Sequence, residues 1–170
     1  NPETGKPIPV RSFAFSDDNQ KVLIYTNTRQ VWRYDTRGDY WVLDIQSGKL
    51  QQVGKHCPEA TLMFAKFSPD GTKVAYVSQN NIYAENLADG KVTPLTTDGS
   101  DLIVNGTFDW VYEEEFGCRD GFRWSPDSKY IAYWQSDTEG TGWFDIINNV
   151  DALYPTIQRF PDRKSTRLNS

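Results

Sequence analysis

The sequence contains little histidine or cysteine and no long apolar run. Its 170 residues include one histidine and two cysteines, and no segment approaches the roughly 18 consecutive apolar residues of a membrane-spanning helix. Cys57 and Cys118 belong to no C-x-x-C pair, which excludes a zinc ribbon and a dithiol redox motif. G-x-S-x-G is absent, and the sole histidine, His56, lies in a connection between repeat units, so this chain is not expected to supply a Ser-His-Asp triad.

Charge and composition limit the partners and the class of protein. The formal net charge is −5 at pH 7, and Lys and Arg are dispersed along the chain, so nucleic acid is not expected as a partner. With 38% hydrophobic and 14% aromatic residues, the chain falls within the range of one globular domain. The N-terminal NPETGKPIPV lacks the charged start and apolar run of a secretory signal. We therefore expect either a cytoplasmic protein or one whose export segment is missing from this sequence.

Three segments of the chain read alike. They are FAFSDDNQKVLIY, FAKFSPDGTKVAYV and GFRWSPDSKYIAYW, at residues 13–25, 64–77 and 121–134. Each contains an aromatic residue, a Ser-Pro-Asp-like turn, a lysine and then an apolar strand. Proline presets φ and Asp can accept a hydrogen bond from the backbone two residues on, so these turns predict β-hairpins.

A second hairpin follows each of the first two units, at residues 40–53 and 81–96. Two hairpins make a four-stranded unit. The turn serines at residues 16, 68 and 125 space the units by 52 and 57 residues, which is typical of propeller blades. The fold class predicted is all-β: a partial propeller of about three four-stranded antiparallel blades, at residues 12–54, 62–97 and 120–160. Because a closed propeller needs about four to eight blades, we expect a fragment of a larger one. The alternative is a β-sandwich with similar turns.

Residues 97–120 show no hairpin pattern and contain DWVYEEEF, at 109–116. Asp109 is a good helix N-cap, which predicts a short helical insertion whose dipole favours nearby carboxylates. Carboxylates brought together repel each other, and a bound ammonium would relieve that repulsion. The alternatives are an ordinary solvated acidic turn and a calcium or magnesium site, although the D-x-D-x-D-G calcium-loop pattern is absent. We predict no metal or cofactor.

The stretch DWVYEEEF, followed by FRWSPDSKYIAYWQSDTEG, resembles the dipeptidyl peptidase IV family of serine exopeptidases, in the prolyl oligopeptidase clan, and its bacterial members in particular. The likeness extends from about Val10 to Phe160. In that family an N-terminal β-propeller covers an α/β-hydrolase domain, and a glutamate pair captures the amino terminus of the peptide. The resemblance implies that Glu114 and Glu115 form this pair and that Glu113 supports it.

The resemblance also implies an arginine near the carbonyl of the substrate's penultimate residue. The segment VWRYDTRGDYWVLD, at residues 31–44, selects Arg33 for this role. A planar guanidinium suits both a carbonyl oxygen and a neighbouring carboxylate. Many members continue with His-Ser, whereas Tyr34 and Asp35 follow here. Arg37 is the competing candidate, and an ordinary surface arginine is the alternative.

The function implied is substrate binding in an exopeptidase that releases N-terminal dipeptides with Pro or Ala at the penultimate position. The partners implied are the amino terminus of a peptide substrate, the remaining blades and a C-terminal α/β-hydrolase domain that holds the catalytic groups. The resemblance leaves a homodimer of the parent open and implies a periplasmic, secreted or membrane-anchored location. The alternative function is a non-enzymatic propeller that binds proteins.

The chain is predicted to divide into two segments. Residues 1–160 form the partial propeller, and the hydrolase domain is absent from the chain. Residues 161–170, PDRKSTRLNS, are polar, lack the blade pattern and depart from the family. We expect a disordered or foreign tail there.

Overall fold

The computed structural model describes residues 1–2, 4–150 and 153–162. The chain divides into two compact units, residues 1–136 and 137–170. The first unit contains two four-stranded antiparallel sheets. The first sheet comprises β1 (Ser12–Phe15), β2 (Lys21–Gln30), β3 (Asp35–Asp44) and β4 (Leu50–Val53), and the second comprises β5 (Met63–Phe67), β6 (Lys73–Ser78), β7 (Asn81–Asn86) and β8 (Val92–Pro94). The all-β fold and the two complete blades predicted from the repeats are confirmed.

The central position of the second sheet explains the sequence of β6. Val74 and Tyr76 pack with residues of the first sheet in one core cluster, whereas Ala75 and Val77 pack with Phe122 of the third repeat in another. A strand that is buried on both faces reads as a continuous apolar run instead of an alternating one. The repeats therefore stack in chain order, as neighbouring blades of a propeller do.

A serine-aspartate hydrogen bond recurs in the turn that opens each repeat. The hydroxyls of Ser16, Ser68 and Ser125 donate to the carboxylate two residues on, at 2.5–2.6 Å. Each hydroxyl oxygen also accepts a backbone N–H across the turn, at 2.9–3.0 Å. The serine thus joins the two strands of the hairpin, which is why the Ser-x-Asp pattern recurs along the chain.

Consecutive turns also contact each other. The backbone N–H of Asp70 in the second turn donates to Ser128 Oγ in the third, at 2.9 Å. Ser128 has φ 59°, in the left-handed region that glycine adopts more readily. The serine at this position therefore contributes a link between repeats that a glycine would lack.

We expect Ser68→Ala to lower the free energy of unfolding by about 1–3 kcal/mol, because it leaves the part-buried backbone N–H of Lys73 without its partner. Ser68 is fully buried, whereas the equivalent bonds of Ser125 are exposed. The matched control Ser125→Ala should therefore cost less than about 1 kcal/mol, since water replaces the lost partner. Urea unfolding of both variants measures the difference. Equal losses would contradict the burial argument.

The third repeat departs from the predicted four-stranded arrangement. Its β10 (Phe122–Trp124) and β11 (Ile131–Tyr133) form a two-stranded sheet. The chain then continues into β12 (Gln135–Asp137), which pairs with β9 (Ile103–Asn105) of the insertion. In the second unit, β13 (Gly142–Asn148) and β14 (Thr156–Asp162) form a separate antiparallel hairpin. Residues 163–170, most of the predicted tail, lie outside the described residues, and β14 includes the first two residues assigned to that tail.

Backbone pairing closes the insertion at its base. Thr107 and Asp120 form an antiparallel bridge, and Trp134 of the third repeat pairs with Gly106 and Gly121. Asn105 is fully buried, and its side-chain amide donates to Asn80 O and to Asp98 Oδ1. Residues 108–119 therefore leave and re-enter the β framework at adjacent points.

Candidate functional site

Helix α1 (Trp110–Phe116) occupies the closed insertion, as the sequence predicted. Asp109 caps it, because its carboxylate accepts the backbone N–H of Tyr112 at 3.1 Å. At the other end Gly117 adopts φ 64°, and its N–H and that of Cys118 donate to carbonyls of the last turn. A helix of seven residues is marginal by itself, so these caps and the closed base hold it.

The three successive glutamates of α1 have different environments. Glu113 is buried, with 6% of its surface exposed. Glu114 is partly buried and Glu115 is exposed. Among the three, Glu113 alone lies in the first turn, so the predicted support from the helix dipole applies to it and not to Glu114 or Glu115. Those two lie toward the carboxyl end, where the dipole favours cations over carboxylates.

Arg33 supplies a cation at this end of the helix. Its Nη2 lies 2.7 Å from Glu114 Oε2, with 69% of the Arg33 side chain and 16% of the Glu114 side chain exposed. Arg33 belongs to the loop that joins β2 to β3, residues 31–34, which we call the Arg33 loop. An ion pair with one partner so exposed contributes little to stability, about 0–1 kcal/mol. The main effect of the pair is therefore to place a guanidinium beside Glu114, and its contribution to the stability of the fold is small.

The competing candidate, Arg37, lies elsewhere. It is on β3 and lines a groove with Asn80 and Asp101. Of the two arginines considered from the sequence, Arg33 is thus the one that contacts the glutamates of α1.

A second contact links the Arg33 loop to the insertion. The Arg119 guanidinium carbon lies 4.0 Å from the centroid of the Tyr34 ring, a cation–π geometry that contributes about 0.5–1 kcal/mol at exposed sites. Sequence reasoning did not single out these two residues. Their one available signal was position: Tyr34 directly follows Arg33, and Arg119 lies three residues after the end of DWVYEEEF.

Burial and three neighbouring charges act on the pKa of Glu113. Burial raises the pKa of its carboxyl above the ordinary value, the Arg119 guanidinium lowers it, Glu114 raises it and Arg33 lowers it. The buried Oε1 of Glu113 accepts no hydrogen bond from any described residue. A carboxyl in this environment holds its proton more tightly than one in water.

We expect Glu113→Gln to raise the melting temperature more at pH 8 than at pH 4. Because the pKa of Glu113 is raised in the folded state, its stabilising contribution is present below the unfolded-state pKa and is lost as pH rises through the folded-state value. The neutral amide removes this loss. Glu115→Gln, a change of the same charge on the exposed side of the helix, is the control. A melting-temperature difference for Glu113→Gln that does not change with pH would contradict the assignment.

The cysteines and the histidine form no comparable site. His56 Nε2 lies 3.3 Å from Cys57 Sγ, but burial raises the pKa of the Cys57 thiol, which disfavours the reactive thiolate. Both cysteines are free in the described part of the chain. Across residues 1–2, 4–150 and 153–162, no three His, Cys, Asp or Glu side chains are grouped so as to hold a metal ion. Within the same ranges no helix is long and apolar enough to cross a membrane.

Comparison with known proteins identifies the family. Residues 16–163 match the model of the dipeptidyl peptidase IV N-terminal region. The chain belongs to the dipeptidyl peptidase IV family. It is 34% identical over 170 residues to dipeptidyl aminopeptidase B of Saccharomyces cerevisiae, which covers 97% of this chain and 20% of the yeast protein.

A solved structure agrees with the family assignment. The crystal structure of Porphyromonas gingivalis dipeptidyl peptidase 4 superposes with a TM-score of 0.83 and 28% identity, covering 93% of this chain and 22% of that chain. The chain thus spans about a fifth of the length of both relatives. The family resemblance and the propeller fold predicted from the repeats are confirmed. The roles of Glu114, Glu115 and Arg33 remain predictions.

Proposed function

We propose that this chain is the substrate-binding propeller region of a serine-type dipeptidyl peptidase. The complete enzyme would release N-terminal dipeptides from peptides with Pro or Ala at the penultimate position. The observation that carries the proposal is the ion pair between Arg33 and Glu114, which lies next to a second, exposed carboxylate on the same helix. The dipeptidyl aminopeptidase name of the yeast relative supports the reaction class.

In the proposed mechanism Glu114 and Glu115 bind the α-ammonium of the substrate. Glutamate oxygens accept charge-assisted hydrogen bonds from an ammonium, and such bonds are stronger than neutral ones. Holding the ammonium allows two residues to reach the nucleophile, so the pair acts as a ruler for the cleaved product. The contribution to catalysis is positioning of the scissile bond.

Arg33 has two roles in this proposal. Without substrate its guanidinium neutralises Glu114 across 2.7 Å. With substrate present, its remaining N–H groups donate to the carbonyl oxygen of the penultimate residue, for which a planar fork of donors is suited. Glu114 is then shared between the guanidinium and the ammonium.

The local charge balance favours a monovalent cation. Two of the three glutamates have a guanidinium beside them, because Arg33 pairs with Glu114 and Arg119 acts on Glu113. Glu115 is exposed and forms no ion pair with a described residue, so it supplies the negative charge that the ammonium is proposed to neutralise.

The remaining machinery is proposed to lie in other parts of the parent protein. An α/β-hydrolase domain would supply the nucleophile, the base, the oxyanion hole and the pocket for proline, and further blades would complete the propeller. An exported or membrane-anchored location and a homodimer of the parent belong to the same proposal. The purified 170-residue chain should not hydrolyse Gly-Pro-p-nitroanilide, and measurable turnover by it would contradict this division of labour.

In the full-length protein we expect Glu114→Ala and Glu115→Ala each to lower kcat/KM for Gly-Pro-p-nitroanilide by about 10- to 100-fold. This range corresponds to the loss of one charge-assisted hydrogen bond, about 1.5–3 kcal/mol. Acetylation of the substrate's amino group should lower turnover by the wild-type protein and should leave little further loss in either variant.

Asp17→Ala removes an exposed carboxylate from the first hairpin turn and is the matched control. Its kcat/KM should equal that of the wild type. The Glu pair would be wrong as the ammonium site if both Glu variants kept activity within about twofold of wild type.

A non-enzymatic scaffold is the second candidate function. The full-length reading frame discriminates between the two. A downstream G-x-S-x-G followed by Asp and His favours the peptidase, and a stop after the last blade favours the scaffold.

A further inference from the structure

The Arg33 loop needs a support beyond its ion pair. It projects from the end of the β2–β3 hairpin, where the strand register shifts between Thr26 and Gln30. Its internal hydrogen bonds, including Gln30 Nε2 to Trp32 O at 2.9 Å, shape the loop but do not attach it to the helix. The Arg33 side chain is largely exposed, so the contact with Glu114 alone leaves the guanidinium weakly fixed.

Tyr34 and Arg119 provide a second attachment beside it. The Arg119 guanidinium lies over the Tyr34 ring at 4.0 Å. Arg119 is itself held, because its carbonyl accepts the Thr107 hydroxyl at 3.2 Å and the next residue, Asp120, forms the bridge that closes the insertion. The stacked pair thus joins the Arg33 loop to the best-anchored part of the insertion.

We propose that Tyr34 and Arg119 form a positioning pair that holds Arg33 against Glu114 at the end of α1. Tyr34 directly follows Arg33, so fixing its ring restricts the backbone from which the guanidinium extends. The two contacts, Arg33 to Glu114 and Tyr34 to Arg119, connect the same loop to the same insertion at two points. Two points of attachment fix an orientation, which one flexible side chain cannot do.

This inference rests on the proposed function and adds a step to it. When a substrate ammonium binds Glu114, it shares that carboxylate with Arg33 and so weakens their ion pair. The Tyr34–Arg119 contact does not involve that carboxylate, so it keeps the Arg33 loop in place while the guanidinium turns toward the substrate carbonyl. Without the pair, the substrate would displace the loop together with the side chain.

Tyr34 is the better residue to test. Arg119 also compensates the charge of the buried Glu113, so its removal would change two interactions at once. Tyr34 is exposed, so truncating it changes the attachment of the loop with little loss of core packing.

The experiment measures kcat and KM of the full-length protein for Gly-Pro-p-nitroanilide. Tyr34→Ala should raise KM by about tenfold and change kcat by less than about twofold, because it weakens binding common to the ground and transition states. Tyr34→Phe, which keeps the aromatic face, should restore KM. Tyr130→Ala removes an exposed tyrosine of the third repeat and should leave both constants unchanged.

A double-mutant cycle separates positioning from a general structural role. In an Arg33→Ala background, Tyr34→Ala should have no further effect on KM, since the residue it positions is gone. An equal rise in KM with and without Arg33 would overturn the proposal. If Tyr34→Ala prevents folding, as judged by circular dichroism, Arg119→Met carries the same cycle from the other side of the contact.

The outcomes separate a failure of the proposed function from a failure of the positioning pair. A wild-type protein that does not cleave the substrate, or Glu114→Ala with normal kcat/KM, contradicts the proposed function. If Glu114→Ala shows the expected loss of kcat/KM but Tyr34→Ala keeps the wild-type KM, only the proposal of a positioning pair is contradicted.

Discussion

The bridge between Thr107 and Asp120 is the constraint on which the site depends. It closes the insertion at the β framework, and the short helix that carries the glutamates is held between its two ends. A seven-residue helix would not persist in water. Its caps at Asp109 and Gly117 satisfy the ends, but they do not determine where the helix lies. The bridge joins the two ends of the segment, and the backbone bonds of Trp134 to Gly106 and Gly121 attach them to the third repeat.

The physical role of the Arg33–Glu114 pair follows from where the glutamates lie on α1. Carboxylates near the carboxyl end of a helix are disfavoured by the dipole and by one another. A structure that retains them needs cations nearby: Arg33 from the first sheet pairs with Glu114, and Arg119 of the insertion acts on Glu113. The arrangement has little value for stability, which is consistent with a part in binding.

Much of the fold was readable from the sequence. The Ser-x-Asp turns at residues 16, 68 and 125 predicted the hairpins because one serine hydroxyl bonds to both sides of each turn. Asp109 predicted the start of α1 for a similarly local reason. The two-stranded third repeat was not predicted, since the pairing of β12 with β9 is a choice between distant partners that turn chemistry does not encode.

In the candidate site too, local sequence patterns predicted some residues, and contacts between distant segments determined the others. The family motif selected Glu114, Glu115 and Arg33, and the contact of Arg33 with Glu114 is present in the structure. The burial of Glu113 and the stacking of Arg119 on Tyr34 depend on how the first hairpin meets the insertion. The spacing of residues along the sequence does not predict that contact. Residues that act through packing are therefore the part of the site that sequence patterns miss.

The pairing of Arg33 with Glu114 also bears on the order of folding. One partner extends from the first sheet and the other from a segment that is anchored to the third repeat, with the second sheet between them in the chain. Contacts of such large sequence separation form late. The ion pair therefore forms only when three successive repeats have packed together. Local opening of any one of them would break it before the core unfolds.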